Sequence, residues 1–162
     1  ISEKAHVLIY VAGLERNNMV YGPHTENDYQ YSITTEAIVE ELAHSYPESV
    51  IIMKLYPTHR YAESCEFLRL LNKFTNLRIV KDMDFRFIRA AADVIALSSS
   101  QSVLGWALGA NCKTLFYELE ASPVKLSGKI RHSFLPGVRR VIELNNIFKD
   151  YHSKSFVKEL LA

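Results

Sequence analysis

The sequence contains few cysteines, the residues whose disulfides stabilise small secreted domains, and no apolar segment long enough to cross a membrane. Its 162 residues include only two cysteines, Cys65 and Cys112, which lie far apart in apolar surroundings. This arrangement favours buried reduced thiols over a disulfide. No apolar run approaches the length that a bilayer requires, and Ile1 opens no signal-peptide pattern. We therefore expect a globular cytoplasmic protein.

Several catalytic and metal-binding motifs are also missing. The chain has no P-loop, no G-x-G-x-x-G fingerprint, no G-x-S-x-G elbow, and no H-E-x-x-H or C-x-x-C spacing among its scattered histidines and cysteines. Asp82-Met83-Asp84 resembles a D-x-D metal motif, but Asp84 is needed to cap the next helix. We expect no metal and no nicotinamide cofactor. The formal net charge of +1 gives no basic excess, so we expect no nucleic-acid partner and no surface for an anionic membrane.

Apolar strand-like runs alternate with helical stripes along the chain. The runs that suit strands lie at 6–12, 50–55, 77–80, 93–97, 113–117 and 138–144. The helical stripes lie at 32–46, 61–74, 85–91, 101–108 and 156–161. Such alternation predicts one α/β domain over 1–162, with a doubly wound (Rossmann-like), mostly parallel sheet of about five or six strands and helices on both faces.

Two polar stretches interrupt this pattern, and some helical positions are expected to face the sheet. Residues 13–30 are too many for a passive connection, so we predict a functional loop there. Residues 118–137 carry weak signals and are predicted to be a loop. Phe87 and Trp106 fall on the apolar stripes of their helices and are predicted to face inward. Gly109 is expected to end the helix that contains Trp106.

A run of serines follows the fourth predicted strand, directly before a helix. Ser98, Ser99 and Ser100 come first, and Ser102 follows one residue later. Ligands of open parallel sheets sit beyond the carboxyl ends of the strands, near the switch in strand order. Free amides at a helix N-terminus and small hydroxyl side chains suit a phosphate there. The competing interpretation is that one serine only caps the helix.

Residues 92–103 (ADVIALSSSQSV) and 108–117 (LGANCKTLFY) resemble the donor site of two-domain, GT-B type glycosyltransferases. The likeness is greatest to bacterial surface-polysaccharide and teichoic-acid-type transferases. It implies a nucleotide-sugar-binding domain acting in capsule, lipopolysaccharide or teichoic acid synthesis. The diphosphate of the donor, a substrate and not a cofactor, would lie on Ser98 to Ser100 and Ser102.

The second predicted strand ends in a segment that partly fits the same resemblance. The family has Lys-x-His-Pro where this chain has Lys54-Leu55-Tyr56-Pro57. The resemblance implies that Lys54 contacts the donor phosphate, while a snorkelling or salt-bridged lysine is the alternative. Tyr56 replaces a histidine and can donate a hydrogen bond but carries no positive charge. His59 and Arg60 follow closely, and either supply the missing cation or belong to an altered site.

An acidic residue after the fifth strand bonds the nucleotide ribose in the resembling enzymes. Glu118 or Glu120 would take this role, and the alternative is a solvated loop carboxylate. The chain is expected to be a fragment of a longer protein, whose amino-terminal domain supplies the general base. The fragment alone should therefore bind the donor without turning it over. Peripheral membrane association is expected of the full-length protein only.

Two further functions compete with a glycosyltransferase. A nucleotide-sugar 2-epimerase of the same architecture also has a serine-rich turn, but such relatives carry an acidic pair where this chain has Gly105-Trp106-Ala107. A degenerate, non-catalytic GT-B binding module is the other alternative, and Tyr56 is the residue that favours it.

Overall fold

The computed structural model describes residues 5–12, 28–55, 68–100, 102–122 and 125–144. Within these segments, seven strands form one sheet in the order β3-β2-β1-β4-β5-β7-β6. The strands are β1 (Val7–Val11), β2 (Val50–Lys54), β3 (Leu77–Val80), β4 (Val94–Leu97), β5 (Lys113–Leu119), β6 (Lys129–His132) and β7 (Val138–Leu144). The first five are parallel, whereas β7 pairs antiparallel with both β5 and β6. The predicted α/β, mostly parallel sheet is confirmed, but with more strands and with antiparallel pairs.

Helices cover both faces of the sheet, as predicted. On one face α1 (Asp28–Ser45) and α2 (Leu68–Lys73) pack, through residues such as Leu42 and Leu70, against alternate strand residues including Leu8. On the other face α3 (Phe85–Ile88) and α4 (Ser102–Leu108) pack against the intervening residues, such as Ile9. Strand side chains alternate between faces, so these contacts place the two helix pairs on opposite sides. A 3-10 turn, Arg89–Ala91, follows α3.

The centre of the sheet joins distant parts of the chain. Every residue of β4 is buried, which suits an interior parallel strand. At the start of β1, the backbone amides of His6 and Val7 donate to the Asp93 carboxylate at 2.7 and 3.0 Å. These hydrogen bonds lower the pKa of Asp93. The carboxylate thus ties β1 to the residue that precedes β4.

The prediction that residues 118–137 form a loop was wrong in two places. Strand β5 extends to Leu119, and residues 129–132 form β6. The Lys-Ile-Arg-His sequence of β6 is exposed at all four positions, so it carries no apolar run that would reveal a strand. Its strand conformation comes from hydrogen bonding to β7. Helix α1 begins at Asp28, inside the stretch predicted as a loop. Of the helix predicted over 61–74, residues 68–73 form α2 and residues 61–67 lie outside the described residues, as does the helix predicted at 156–161.

Two aromatic residues predicted to face inward are on the surface. Phe87 is 76% exposed and Trp106 is 42% exposed. Helix α3 has only four residues, and Phe85 takes its buried position. The Trp106 ring instead lies beneath two guanidinium groups, with Arg86 at 5.8 Å and Arg89 at 5.2 Å from its centroid. These distances suit cation–π contacts.

Gly109 follows the last residue of α4, as predicted, but not in the left-handed conformation of a usual C-cap. Within the described segments, the positive φ angles of glycines belong to Gly128 and Gly137. A Cβ atom added to Gly109 would lie 3.3 Å from Nη1 of Arg89. That guanidinium donates to the Trp106 carbonyl at 2.6 Å. A larger residue at position 109 would therefore crowd the Arg89 guanidinium.

Candidate functional site

The carboxyl ends of β1 to β5 lie at one edge of the sheet, here named the carboxyl edge. The strand order reverses between β1 and β4, because β2 and β3 continue on one side of β1 and β4 and β5 on the other. In the register, Val11 pairs with Lys54 on one side and with Leu97 on the other. Neighbouring strands lie about 4.8 Å apart, which puts the Lys54 and Leu97 backbones about 10 Å apart. Lys54 and the serine turn thus flank the end of β1 at the switch point, where open α/β sheets bind ligands.

The serine turn leaves β4 at this edge with increasing exposure. Ser98 is buried, Ser99 and Ser100 are half-buried, and Ser102 is exposed as the first residue of α4. The first-turn amides of a helix have no intrahelical acceptor. Because α4 has only seven residues, its summed dipole is modest. Individual N–H and hydroxyl groups of the turn must therefore supply most of any attraction for an anion.

Lys54 is a buried cation, with 3% of its surface exposed. Its Nζ donates to the Lys81 carbonyl at 2.8 Å and to the Leu55 carbonyl, so it does not snorkel to solvent. Burial lowers the pKa of Lys54, and the charges of Asp82 and Asp84 act in the opposite direction. The ammonium is therefore held mainly by neutral oxygens, in a place where its charge is disfavoured.

Asp84 caps α3, as predicted. Its carboxylate accepts from the Arg86 backbone amide at 2.8 Å and from Nη2 of the same residue at 2.6 Å. These bonds to Arg86 lower the pKa of Asp84. Its oxygens are thus occupied, and the part of the chain that the structure describes contains no group of three or more histidine, cysteine or acidic side chains placed to hold a metal.

Glu118 lies within β5 and not in a loop. Its side chain is fully buried and accepts from Nη2 of Arg140 at 2.7 Å, while Nη1 of Arg139 lies 3.5 Å from its other oxygen. The hydrogen bond from Arg140 is the main cause of a lowered pKa for Glu118. The interpretation of Glu118 as a solvated loop carboxylate is therefore wrong. A contact with ribose stays a prediction and would require the carboxylate to leave these arginines. Glu120 is exposed in the following turn.

The structure brings some of the predicted residues together and leaves others undescribed. Lys54 and the serine turn both lie at the carboxyl edge but on opposite sides of β1, and the Lys54 ammonium contacts the Lys81 carbonyl on the β3 side. Glu118 lies two strands from β1 on the side of β4. Tyr56, His59 and Arg60 lie outside the described residues.

The pairing of Glu118 with Arg140 was not predicted, although the sequence holds a signal for it. Thr114, Phe116 and Glu118 fall on one face of β5, and a carboxylate on a buried face needs a cation. Arg140 lies directly opposite Glu118 in the antiparallel register. That register follows from the β5–β7 pairing, which the sequence alone does not fix.

None of the helices in the described segments is long and apolar enough to span a membrane. Comparison with known proteins found no matching family model, no matching curated protein and no matching solved structure.

Proposed function

We propose that this domain binds the diphosphate of a nucleotide-activated sugar as the donor half of a GT-B type glycosyltransferase of surface carbohydrate synthesis. The observation that supports it is the placement of Lys54 and the Ser98–Ser100 turn on the two sides of β1 at the switch point. A buried cation and a run of small hydroxyl residues form a suitable pair of contacts for a diphosphate.

In this proposal the diphosphate lies along the carboxyl edge. Amide and hydroxyl groups of Ser98 to Ser100 and Ser102 donate to one phosphate. Lys54 neutralises charge on the other once its ammonium leaves the Leu55 and Lys81 carbonyls. Such donors stabilise the negative charge that develops on the leaving diphosphate during glycosyl transfer, since they are already in place before the bond breaks. Tyr56, His59 and Arg60, which continue from β2, would extend the same site.

The reaction divides between this domain and another one. Two of the described carboxylates near the edge are engaged: Asp84 caps α3, and Glu118 is paired with arginines. Following the resemblance to GT-B enzymes, we assign the general base to the amino-terminal domain of a longer protein. The domain by itself binds the donor without transferring the sugar.

Trp106 offers a direct test, because it is the single tryptophan of the chain and lies four residues after Ser102 on the same helix. Residues i and i+4 are neighbours on a helix surface. Titration of the domain with uridine, cytidine and guanosine diphosphates should change tryptophan fluorescence saturably and release or absorb heat. Inorganic pyrophosphate should compete.

Ser99→Ala should weaken this binding by about two- to tenfold, the value of a neutral hydrogen bond. The matched control is Ser127→Ala, which changes an exposed serine between β5 and β6 and should leave affinity unchanged. Absence of any heat and of any shift in melting temperature with all the nucleotides would contradict the proposal.

A non-catalytic binding module is the second candidate. Tyr56 favours it, because a tyrosine cannot carry the positive charge of the histidine that the resembling enzymes have. The two candidates differ in a donor-hydrolysis assay of a full-length protein. An inactive protein that Tyr56→His activates supports the binding module, whereas an active one that Ser99→Ala impairs supports the transferase.

A further inference from the structure

The overall charge of +1 conceals a marked separation of charge along the chain. Residues 121–142 contain five lysines and arginines and no acidic residue, a formal charge of +5. The remaining 140 residues carry 14 lysines and arginines against 18 acidic residues, a formal charge of −4. The basic segment contains β6, the turn at 133–137 and the first part of β7. These elements, together with residues 125–128, which include the exposed Lys125, are here named the basic hairpin.

In the ion pairs of the basic hairpin, the lysine or arginine side chain is more exposed to solvent than its acidic partner. In the ion pair of Lys129 with Glu143, the side chains are 85% and 31% exposed. Arg131 is 52% exposed, whereas its partner Glu41 is 23% exposed. Arg139 is 44% exposed over the fully buried Glu118. An approaching polyanion therefore meets the positive member of each pair first, and the acids beneath hold the cations in place.

The turn of the basic hairpin presents an apolar side chain beside these charges. Phe134 is 97% exposed, and Ile130 in β6 is 50% exposed. The turn is fixed to the sheet, because the Val138 amide donates to the Leu135 carbonyl at 3.1 Å and the Glu120 amide donates to the Gly137 carbonyl at 2.8 Å. Phe134 thus projects from a held backbone, at the end of β5 that belongs to the carboxyl edge.

We propose that the basic hairpin docks on an anionic lipid bilayer, with Phe134 inserted among the headgroups and Lys125, Lys129 and Arg131 contacting lipid phosphates. Aromatic side chains partition into the bilayer interface, and lysines and arginines are attracted to anionic lipids. This inference does not rest on nucleotide binding.

A bilayer fits these observations better than a protein partner does. Phe134 is a single, almost fully exposed aromatic side chain, whereas the hot-spot aromatics of protein interfaces occur in clusters. Pairing of β6 with a second copy would place lysine, arginine and histidine side chains against one another, which is unfavourable. A soft anionic surface accepts both the single apolar side chain and the surrounding charges.

The test is flotation of the 162-residue protein with vesicles of pure phosphatidylcholine and with vesicles that also contain phosphatidylglycerol. We expect binding only to the anionic vesicles, and its loss at high salt. Phe134→Ser should weaken binding about tenfold, as expected for loss of one inserted aromatic side chain. The double variant Lys125→Gln/Lys129→Gln should bind the anionic vesicles more weakly, by about fivefold in affinity for each cation removed.

Matched controls come from exposed residues elsewhere on the surface. Phe87→Ser removes another exposed phenylalanine, and Lys73→Gln removes another exposed, ion-paired lysine. Both should leave vesicle binding unchanged, and melting temperatures verify that each variant folds.

Three results would overturn the proposal: no flotation with anionic vesicles, equal effects of Phe134→Ser and Phe87→Ser, or binding to soluble polyglutamate without binding to vesicles. The last result would assign the basic hairpin to an acidic protein partner. Nucleotide titration of the same variants tests the proposed function separately, so either proposal can fail while the other stands.

Discussion

Lys54 and Glu118 are both buried charges near the carboxyl edge, but the fold treats them differently. Glu118 faces two guanidinium groups, which favour its charged form and lower its pKa. The ammonium of Lys54 contacts two carbonyl oxygens, and burial lowers its pKa by disfavouring the charged form. A charge that its own fold neutralises has a structural role. A charge that the fold leaves partly uncompensated is the better candidate for contact with an anionic ligand.

The largest effect is expected when the structural charge is removed. Glu118→Ala leaves the half-buried Arg140 without its acceptor, and breaking a buried ion pair on one side costs about 3 kcal/mol. Urea unfolding followed by circular dichroism measures this change. Glu120→Ala removes an exposed turn carboxylate and should change stability by less than about 0.5 kcal/mol. Equal losses in both variants would show that the buried pair does not stabilise the fold.

Removal of the other charge should affect binding more than stability. Lys54→Met removes a desolvated ammonium, which favours the fold, but leaves two carbonyls without their donor, which disfavours it. Because these effects oppose each other, the free energy of unfolding should change by no more than about 1 kcal/mol. Affinity for nucleoside diphosphates should fall at least about tenfold, because a hydrogen bond from a charged donor is lost. Calorimetry and urea unfolding on the same sample give both numbers. A large loss of stability with unchanged affinity would reverse the assigned roles.

Both lowered pKa values predict a stability that rises with pH, in the acid range for Glu118 and in the alkaline range for Lys54. The pKa of Glu118 is lowered from its ordinary value of 4.5, so its contribution is present above that value and is lost as pH falls through the folded-state pKa. The pKa of Lys54 is lowered from 10.5, so the folded state loses this proton first and stability rises with pH between the folded value and 10.5.

Melting temperatures recorded across pH test this contrast. Glu118→Gln should flatten the acid side of the profile, and Lys54→Met should remove the alkaline gain. Profiles of both variants that run parallel to the wild type would contradict the assignment.

The smallest of these effects is expected at the cap of α3. Asp84→Ala removes an N-cap hydrogen bond and should lower the melting temperature slightly. It also removes one carboxylate whose charge supports the ammonium of Lys54, so the alkaline rise in stability should begin at lower pH. Thermal unfolding of Asp84→Ala and Asp84→Asn measures both effects. The asparagine variant should restore the cap and not the charge.

The sequence predicts the parallel half of the molecule better than the antiparallel half. Strands such as β4 are buried on both faces, so their apolar runs are visible without knowledge of their neighbours. Strand β6 is wholly exposed, and only its pairing with β7 makes it a strand. Its Lys-Ile-Arg-His sequence gives no local signal of that pairing.

The candidate site shows the same limit. The serine turn and Lys54 are predictable, because each follows an apolar run directly. Their placement on the two sides of β1 depends on strand order, which is a tertiary property. Trp106 illustrates how tertiary contacts override periodicity. Its helical spacing predicts burial, but Arg86 and Arg89 from the neighbouring segment hold the ring at the surface.

The position of β1 between β2 and β4 has a consequence for folding kinetics. Strand β1 stays open on one side until β4 pairs with it, and the bonds from His6 and Val7 to Asp93 close a span of 86 to 87 residues. Contacts between residues so far apart in sequence form slowly, because the chain loses the entropy of a long loop before the contacts stabilise it. The β6–β7 pair, by contrast, closes over a short turn. We therefore expect the candidate site, whose two halves meet only across β1, to be completed late in folding.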